Sequence, residues 1–345
     1  MNERASWQPT ASPARLAERA AAGGAVRAFF AARGVHEVST PVLCAAPVSD
    51  PHIASMAVTE TTPTGPRHWT LRTSPEYFHK RLIAAGHGDL FELGPVFRAG
   101  DRGRWHEGEF TLLEWYRLGF SWRQLAAEAV ELIRRVAEAV AQGGPQAAVH
   151  RPAAGWISCA VHWIAFRDLL GTALGLDVLT ANDHELISAA QDRGLMAGEV
   201  DRTGALDYLY GVIARDALAE EAITIVHDFP PEHAALARLV AGEHGPLAER
   251  FEIYLGRLEI VNGYRELTSA IEQRHRFAAD TARRRRLGLP EVAGDQALLA
   301  ALDHGLPECA GAALGFDRLL AALTGAKSLA EVIAFPAPGP PAGGA

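Results

Sequence analysis

The run Glu109-Phe110-Thr111-Leu112-Leu113-Glu114-Trp115-Tyr116-Arg117 constrains this chain more than any other segment. It alternates loosely as a strand does, with Phe110, Leu112 and Glu114 on one side and Leu113 and Trp115 on the other. A second strand-like run, residues 90–98, precedes it across a polar loop that carries glycine. A strand, a loop and a returning strand bring Arg98 and Phe110 near each other. An arginine fork matches phosphate oxygens, and an aromatic face stacks on a purine. A solvated arginine at a strand end and a core phenylalanine are the plainer reading of the same pair.

Around this hairpin the pattern is mixed. Residues 12–33 read as a helix, with Ser12 as N-cap, Pro13 at the first position, Gly34 past the end and a weak point at Gly23-Gly24. Short strands are expected over 35–39 and 68–72. Ser121 and Gln124 form a capping box before a helix whose apolar stripe is Leu125, Ala129, Leu132, Ile133 and Val136. Residues 143–245 are mixed and largely helical, with a strand over 224–229. Further strands cover 251–262, turning near Gly256, and helices follow over 270–287 and from Phe316. The Pro- and Gly-rich residues 335–345 read as a flexible tail. Strands in hairpin-like succession with helices between them indicate an α+β fold with a largely antiparallel sheet, a single catalytic-size unit over residues 1–334.

With 48% hydrophobic residues the chain has ample material for a packed core. A formal net charge of −8 argues against a general nucleic-acid binder, while leaving room for a local cationic pocket. Cys44, Cys159 and Cys309 are too few and too scattered for a disulfide framework or a zinc site, so a cytoplasmic location is expected. The first ten residues lack a signal-peptide pattern, and no apolar run has the length of a membrane span. Neither a dinucleotide-binding GxGxxG nor a GxxxxGK[ST] phosphate loop is present, and the 14 histidines form no HxxxH pair.

Two further constellations carry chemistry. Glu252, Glu259, Asn262 and Glu266 interleave with Phe251, Ile253, Leu258 and Ile260 on what reads as a hairpin. Carboxylates gathered this way hold magnesium or an ammonium group; one wet face of an amphipathic hairpin is the plainer reading. Gly311-Ala312-Ala313-Leu314-Gly315-Phe316-Asp317-Arg318 then leads into a helix, placing small residues and an arginine where a triphosphate could approach.

Taken in order, these segments resemble the class II aminoacyl-tRNA synthetases. Pro41 is similar to the proline of motif 1 (near residues 25–41), Phe97 to Arg117 resembles motif 2, and Gly311 to Leu320 resembles motif 3. Thr73-Ser74-Pro75-Glu76-Tyr77 with Lys80-Arg81-Leu82, Glu109 to Tyr116, and Asn262-Gly263-Tyr264-Arg265-Glu266-Leu267 are similar to the lysine subgroup. About forty residues precede Pro41, too few for the anticodon-binding barrel of lysyl-tRNA synthetases. With Glu114-Trp115-Tyr116, Leu306-Pro307-Glu308-Cys309 and Ala313 at a position usually glycine, the chain resembles the stand-alone elongation factor P (R)-β-lysine ligases.

The resemblance implies a class II catalytic domain, dimeric around motif 1, that uses ATP and Mg2+. It also implies a small amino acid as substrate, elongation factor P as acceptor, and no stable tRNA or membrane partner. It would put Ser74, Glu76, Tyr116, Asn262 and Glu266 around the amino acid. Arg98, Gly100, His106, Glu107, Phe110, Glu259, Ile260, Gly315 and Arg318 would hold ATP, and Glu252 with Glu259 the metal. Gly100 stands where the family's motif 2 carries a glutamate, with Asp101 one residue later, and His106-Glu107-Gly108 replaces His-Asn-Pro. Two alternatives therefore stay open in the sequence: a lysine-adenylate-forming ligase that charges tRNA or a small acceptor, and a binding paralogue of weakened catalysis. Arg283 to Arg286 read as a solvated helix face.

Overall fold

The computed structural model describes residues 7–142, 152–196, 198 and 200–337. The first helix, α1 (Pro13–Ala31), is capped by the Ser12 side chain, which accepts from the Arg15 amide. It runs unbroken through the weak point at Gly23-Gly24, because Ala22, Val26, Phe29 and Phe30 around it are buried and packing outweighs local propensity. Gly34 follows with φ 67°, the left-handed value that suits glycine.

Next come β1 (His36–Glu37), β2 (Leu43–Cys44), β3 (Ala57–Thr62), β4 (Gly65–Leu71), α2 (Glu76–Ala84), β5 (Leu90–Phe97), β6 (Glu109–Leu118) and α3 (Trp122–Gln142). The middle of the chain forms α4 (Pro152–Ser158), β7 (Val161–Ala165), α5 (Phe166–Leu174), α6 (Asp183–Gln191), α7 (Arg202–Ala217) and β8 (Ile223–Phe229). Then follow β9 (Leu239–Gly242), β10 (Gly245–Leu255), β11 (Leu258–Arg265), α8 (Ala270–Arg286), α9 (Gln296–Gly305), β12 (Cys309–Gly315) and α10 (Phe316–Thr324).

Nine strands form the main sheet in the order β1-β5-β6-β12-β11-β10-β8-β7, with β9 on β10. Every pair from β5 to β8 is antiparallel, as expected of this α+β chain. The two outermost pairs, β1 with β5 and β7 with β8, are parallel, which the hairpin reading did not contain. β7 lies in the stretch read as mixed and helical. It is a half-exposed edge strand, so it lacks the apolar pattern of a buried one. Residues 143–151 of that stretch, and 338–345 of the expected tail, lie outside the described residues.

One face of the main sheet packs on α1, α3, α4 and α10. Ser121 and Gln124 cap α3 reciprocally, at 3.3 Å from the Gln124 amide to Ser121 Oγ and 2.9 Å from the Ser121 amide to Gln124 Oε1. The stripe expected on α3 is fully buried, each large apolar side chain contributing about 1.5–3 kcal/mol. Leu113 and Trp115 of β6 and Leu314 of β12 point into this core. The alternate residues of the same strands face the other way, into a cleft walled by α2 and α8 on one side and by α7 and the segment after β8 on the other. That second face carries the polar residues.

Candidate active site

The deepest part of the cleft is built from α2, β6, β11 and β12. Strand alternation turns Glu114 and Tyr116 of β6 inward, and Tyr264 and Asn262 of β11 point the same way, with Glu266 just past the strand. Ser74 Oγ donates to Glu114 Oε2 at 2.7 Å, and the Tyr116 hydroxyl donates to Glu114 Oε1 at 2.9 Å. The Tyr264 hydroxyl donates to Glu76 Oε1 at 2.6 Å. Lys80 Nζ lies 2.7 Å from Glu76 and 2.6 Å from Glu266. Burial, with Glu76 and Glu114 adding and Lys80 opposing, pushes the Glu266 carboxyl up to about 8. Glu266 Oε1 is buried with no hydrogen-bond partner of its own. Two carboxylates on one ammonium, one of them carrying an unpartnered oxygen, with Glu114 as a third carboxylate in the same cavity, make a receptor for cationic amino groups.

Behind this pocket His79 Nε2 meets Glu92 Oε2 at 3.0 Å, and Arg72 Nη1 meets Glu92 Oε1 at 2.7 Å. Burial lowers the imidazole's proton affinity, but Glu114 and Glu92 outweigh it and raise His79 above its ordinary value. These residues fix α2 against the sheet and with it Glu76.

A second, smaller cavity of about 200 Å³ adjoins the first and shares Arg98, Leu112, Asn262 and Ala313 with it. Phe110, Trp105, His106, Glu107, Glu259, Ile260, Gly315 and Arg318 line it. The Arg98 guanidinium sits 5.0 Å from the Phe110 ring centre, and its Nε is buried without a partner. Arg318 donates to the Trp105 carbonyl at 3.1 Å and to His106 Nε2 at 2.8 Å. Burial first, then the Arg318 charge, lower His106, so a neutral imidazole accepts that bond. Burial raises the Glu107 carboxyl, which is held by the Ala337 amide.

Glu259 reaches this cavity through a bulge. β10 and β11 pair Ile253 with Val261 and Tyr254 with Glu259, leaving Ile260 as the extra residue and returning Glu259 to the cleft face. Arg318 Nη1 donates to the Glu259 carbonyl at 3.3 Å. Burial, followed by the nearby Glu252 charge, raises Glu259 against Arg318, Arg250 and Arg98. Glu252 itself accepts from Tyr210 at 2.7 Å, Tyr254 at 2.8 Å and Arg250 at 2.5 Å. A buried carboxylate, Glu252, beside the half-exposed Glu259 that lines the cavity fits a divalent cation, which would relieve their repulsion. Among the described residues no group of three or more His, Cys, Asp and Glu gathers as a metal cage, so phosphate and water would complete the shell.

Apart from Gly100 and Glu252, which line neither, the structure sorts the residues singled out from the sequence into two adjoining cavities. Ser74, Glu76, Tyr116, Asn262 and Glu266 line the larger, of about 940 Å³. His106, Glu107, Phe110, Glu259, Ile260, Gly315 and Arg318 line the smaller, and Arg98 lines both. The acid hairpin is not one cluster: Glu266 belongs to the first cavity and Glu259 to the second. Gly100 touches neither; it is exposed with φ 83°, and the turn it makes presents Asp101 to the smaller cavity, where its charge acts on Arg98 and His106. The arginine run on α8 is not a uniform solvated face. Arg284 is buried and donates to the Pro290 and Asp50 carbonyls at 2.7 and 3.2 Å, while Arg283 and Arg286 edge the cleft.

Sequence reading did not assign roles to Lys80, His79, Glu92, Tyr264 or Asp101. For Lys80 a signal existed, because Glu76 and Lys80 are spaced one helical turn apart. Nothing local announced Glu92, whose partners come from residues 40, 72 and 79.

A mixed sheet with an antiparallel centre, an arginine shared between two cavities and a β12-to-α10 junction at one wall define a class II synthetase catalytic domain. The chain belongs to the class II tRNA synthetases (D, K and N), whose family model matches residues 9–338. Within that family it is 38% identical over 339 residues to the elongation factor P–(R)-β-lysine ligase of Pasteurella multocida, covering 97% of this chain and 98% of the relative. It is likewise 38% identical over 338 residues to the protein of that name from Mannheimia succiniciproducens, again covering 97% and 98%.

Proposed function

We propose that this chain is an ATP-dependent ligase that activates (R)-β-lysine or lysine as its adenylate and transfers it to a lysine side chain of elongation factor P. The observation that carries this reading is the carboxylate pocket of Glu76, Glu114 and Glu266 joined through Arg98 to the cavity of Phe110 and Arg318. A diamino acid in the first cavity would place its carboxylate toward Arg98 and Asn262, at the border with the second.

In the first step the substrate carboxylate attacks the α-phosphorus of ATP and pyrophosphate leaves. In the second, the acceptor amine attacks the acyl carbon and AMP leaves. Neither step needs a covalent bond to the protein, so positioning and charge stabilisation supply the acceleration. Arg98 would hold the α-phosphate, Phe110 would stack on adenine, and His106 and Glu107 would lie along the nucleotide. Arg318 would meet the γ-phosphate, with Glu259, Ile260 and Gly315 shaping the same wall. Glu252 and Glu259 would hold Mg2+, which neutralises phosphate charge. Glu76 would take the amino group nearer the carboxylate, and Tyr116 with Glu266 the distal ammonium, Ser74 steadying Glu114. A cytoplasmic homodimer joined around residues 25–41, without stable tRNA binding, completes the proposal. Among the described residues no helix is long and apolar enough to cross a membrane.

Lysine-dependent ATP–pyrophosphate exchange tests the first step: Glu266→Ala is expected to abolish it while ATP binding stays nearly intact, and unchanged exchange would sink the assignment. Labelled β-lysine offered to elongation factor P and to tRNA tests the second; label on tRNA alone would overturn the choice of acceptor.

A further inference from the structure

Lys80 has no part in the adenylation chemistry, yet it lies buried directly behind two of the carboxylates that line the pocket, Glu76 and Glu266. An ammonium with 1% of its side chain exposed has lost its hydration and keeps its charge only when paired. Burial alone would lower it; Glu266 and Glu76 outweigh burial and hold Lys80 protonated well above its ordinary range. One nitrogen binds Glu76 Oε1 at 2.7 Å and Glu266 Oε2 at 2.6 Å, and stands 5.7 Å from the Tyr264 ring centre. Tyr77 and His79 of α2, Glu114 and Tyr116 of β6, Tyr264 of β11 and the buried Cys309 of β12 are the other titratable groups facing this cluster.

Glu76 and Glu266 come from distant parts of the chain, one from the start of α2 and the other from the end of β11. Each uses a single oxygen on Lys80. Glu76 Oε2 has no bond from Lys80, and Glu266 Oε1 has no hydrogen-bond partner at all. A pair of carboxylates tied to one nitrogen cannot drift apart, and each keeps an oxygen for another cation. Without the nitrogen they would face each other unpaired in a buried site, where one of two carboxyls takes up a proton.

We propose that Lys80 is a positioning and specificity residue: it clamps Glu76 and Glu266 to one nitrogen and so fixes the distance between the two ammonium groups that the pocket accepts. This rests on the reading of the chain as a diamino-acid-activating enzyme. The substrate's amino-to-amino spacing is then measured against a fixed internal gauge, and a diamino acid one methylene shorter cannot reach both carboxylates.

The test uses the full-length protein with Lys80→Met and Lys80→Arg, followed by amino-acid-dependent ATP–pyrophosphate exchange with lysine, (R)-β-lysine and ornithine between pH 6.5 and 9. For Lys80→Met, KM for the preferred diamino acid is expected to rise by about tenfold or more, with KM for ATP unchanged. The pH profile should move to the alkaline side, since Glu266 loses the cation that opposes its burial. Lys80→Arg keeps the charge but not the geometry. It should retain the profile near its wild-type position and lose preference for lysine-length substrates over ornithine by about tenfold. Thermal melting of both variants checks that they fold.

A Lys80→Met enzyme with wild-type KM and pH profile overturns the proposal, as does a loss that raises KM for ATP equally and leaves chain-length preference intact. If the wild-type protein activates no diamino acid, the functional reading falls and this inference with it. If it does, and Lys80→Met matches it, only this inference falls.

Discussion

A methyl group on Gly311 would overlap Oε1 of Glu266 and the ring of Tyr116, so bare backbone on β12 is what admits both side chains to the amino-acid pocket. Gly311 has no unusual φ, and its role is one of space alone. Gly311→Ala is therefore expected to lower kcat/KM for the diamino acid by about a hundredfold while ATP affinity changes little. Exchange assays titrated separately in amino acid and ATP check the split.

Glu266 supplies a pH dependence. Burial raises its carboxyl to about 8 against the pull of Lys80, so its ionised share grows as pH rises towards that value. A cationic substrate binds the ionised form, and kcat/KM for the diamino acid should climb as pH rises from 6 towards about 8. In Glu266→Gln the residual activity should lose that rise. A profile that falls over this range in the wild type would contradict the assignment.

Asp101 faces the nucleotide cavity because Gly100 turns the chain with φ 83°. Asp101→Asn should raise KM for ATP by about fivefold to tenfold and leave KM for the amino acid alone. Gly100→Ala meets no neighbour within 4 Å, so its cost is that of the backbone, about 1 kcal/mol, readable by denaturant unfolding.

The Arg72–Glu92–His79 group should act on stability rather than binding. Burial opposes ionisation of Glu92, but His79, Thr40 and Arg72 outweigh it and hold the carboxyl at about 2. A carboxylate held below its ordinary value stabilises the fold above that value and loses the effect as pH falls from about 4.5 towards 2. Glu92→Gln should cost about 3 kcal/mol at pH 7, with the gap to wild type narrowing at pH 3. Urea unfolding at the two pH values measures it.

How much of this was legible in sequence depends on how local each signal is. The β5–β6 hairpin, the Ser121 cap, the α3 stripe and the β10–β11 turn at Gly256 each rest on residues a few positions apart, and each formed where the pattern put it. The edge strand β7 and the hairpin strand β3 are half-exposed and carry no strong alternation, so they stayed hidden. Arg284 illustrates the reverse: four arginines in a row look like solvent, yet helix geometry turns one of them inward to bind carbonyls of distant loops.

The sequence by itself determined that an arginine, an aromatic residue, a set of acids and a glycine-rich approach to a helix come in the order of a class II synthetase. Residue type and spacing suffice for that, because they reflect strand period and helix caps. Only the tertiary structure decided which acids meet. β12 lies between β6 and β11, bringing Glu114 and Tyr116 together with Glu266 from a distant part of the chain, while the bulge at Ile260 sends Glu259 to the other cavity. Charges separated by that much chain cannot be paired by period or propensity. Their meeting depends on sheet order and register, which the whole folded core fixes at once.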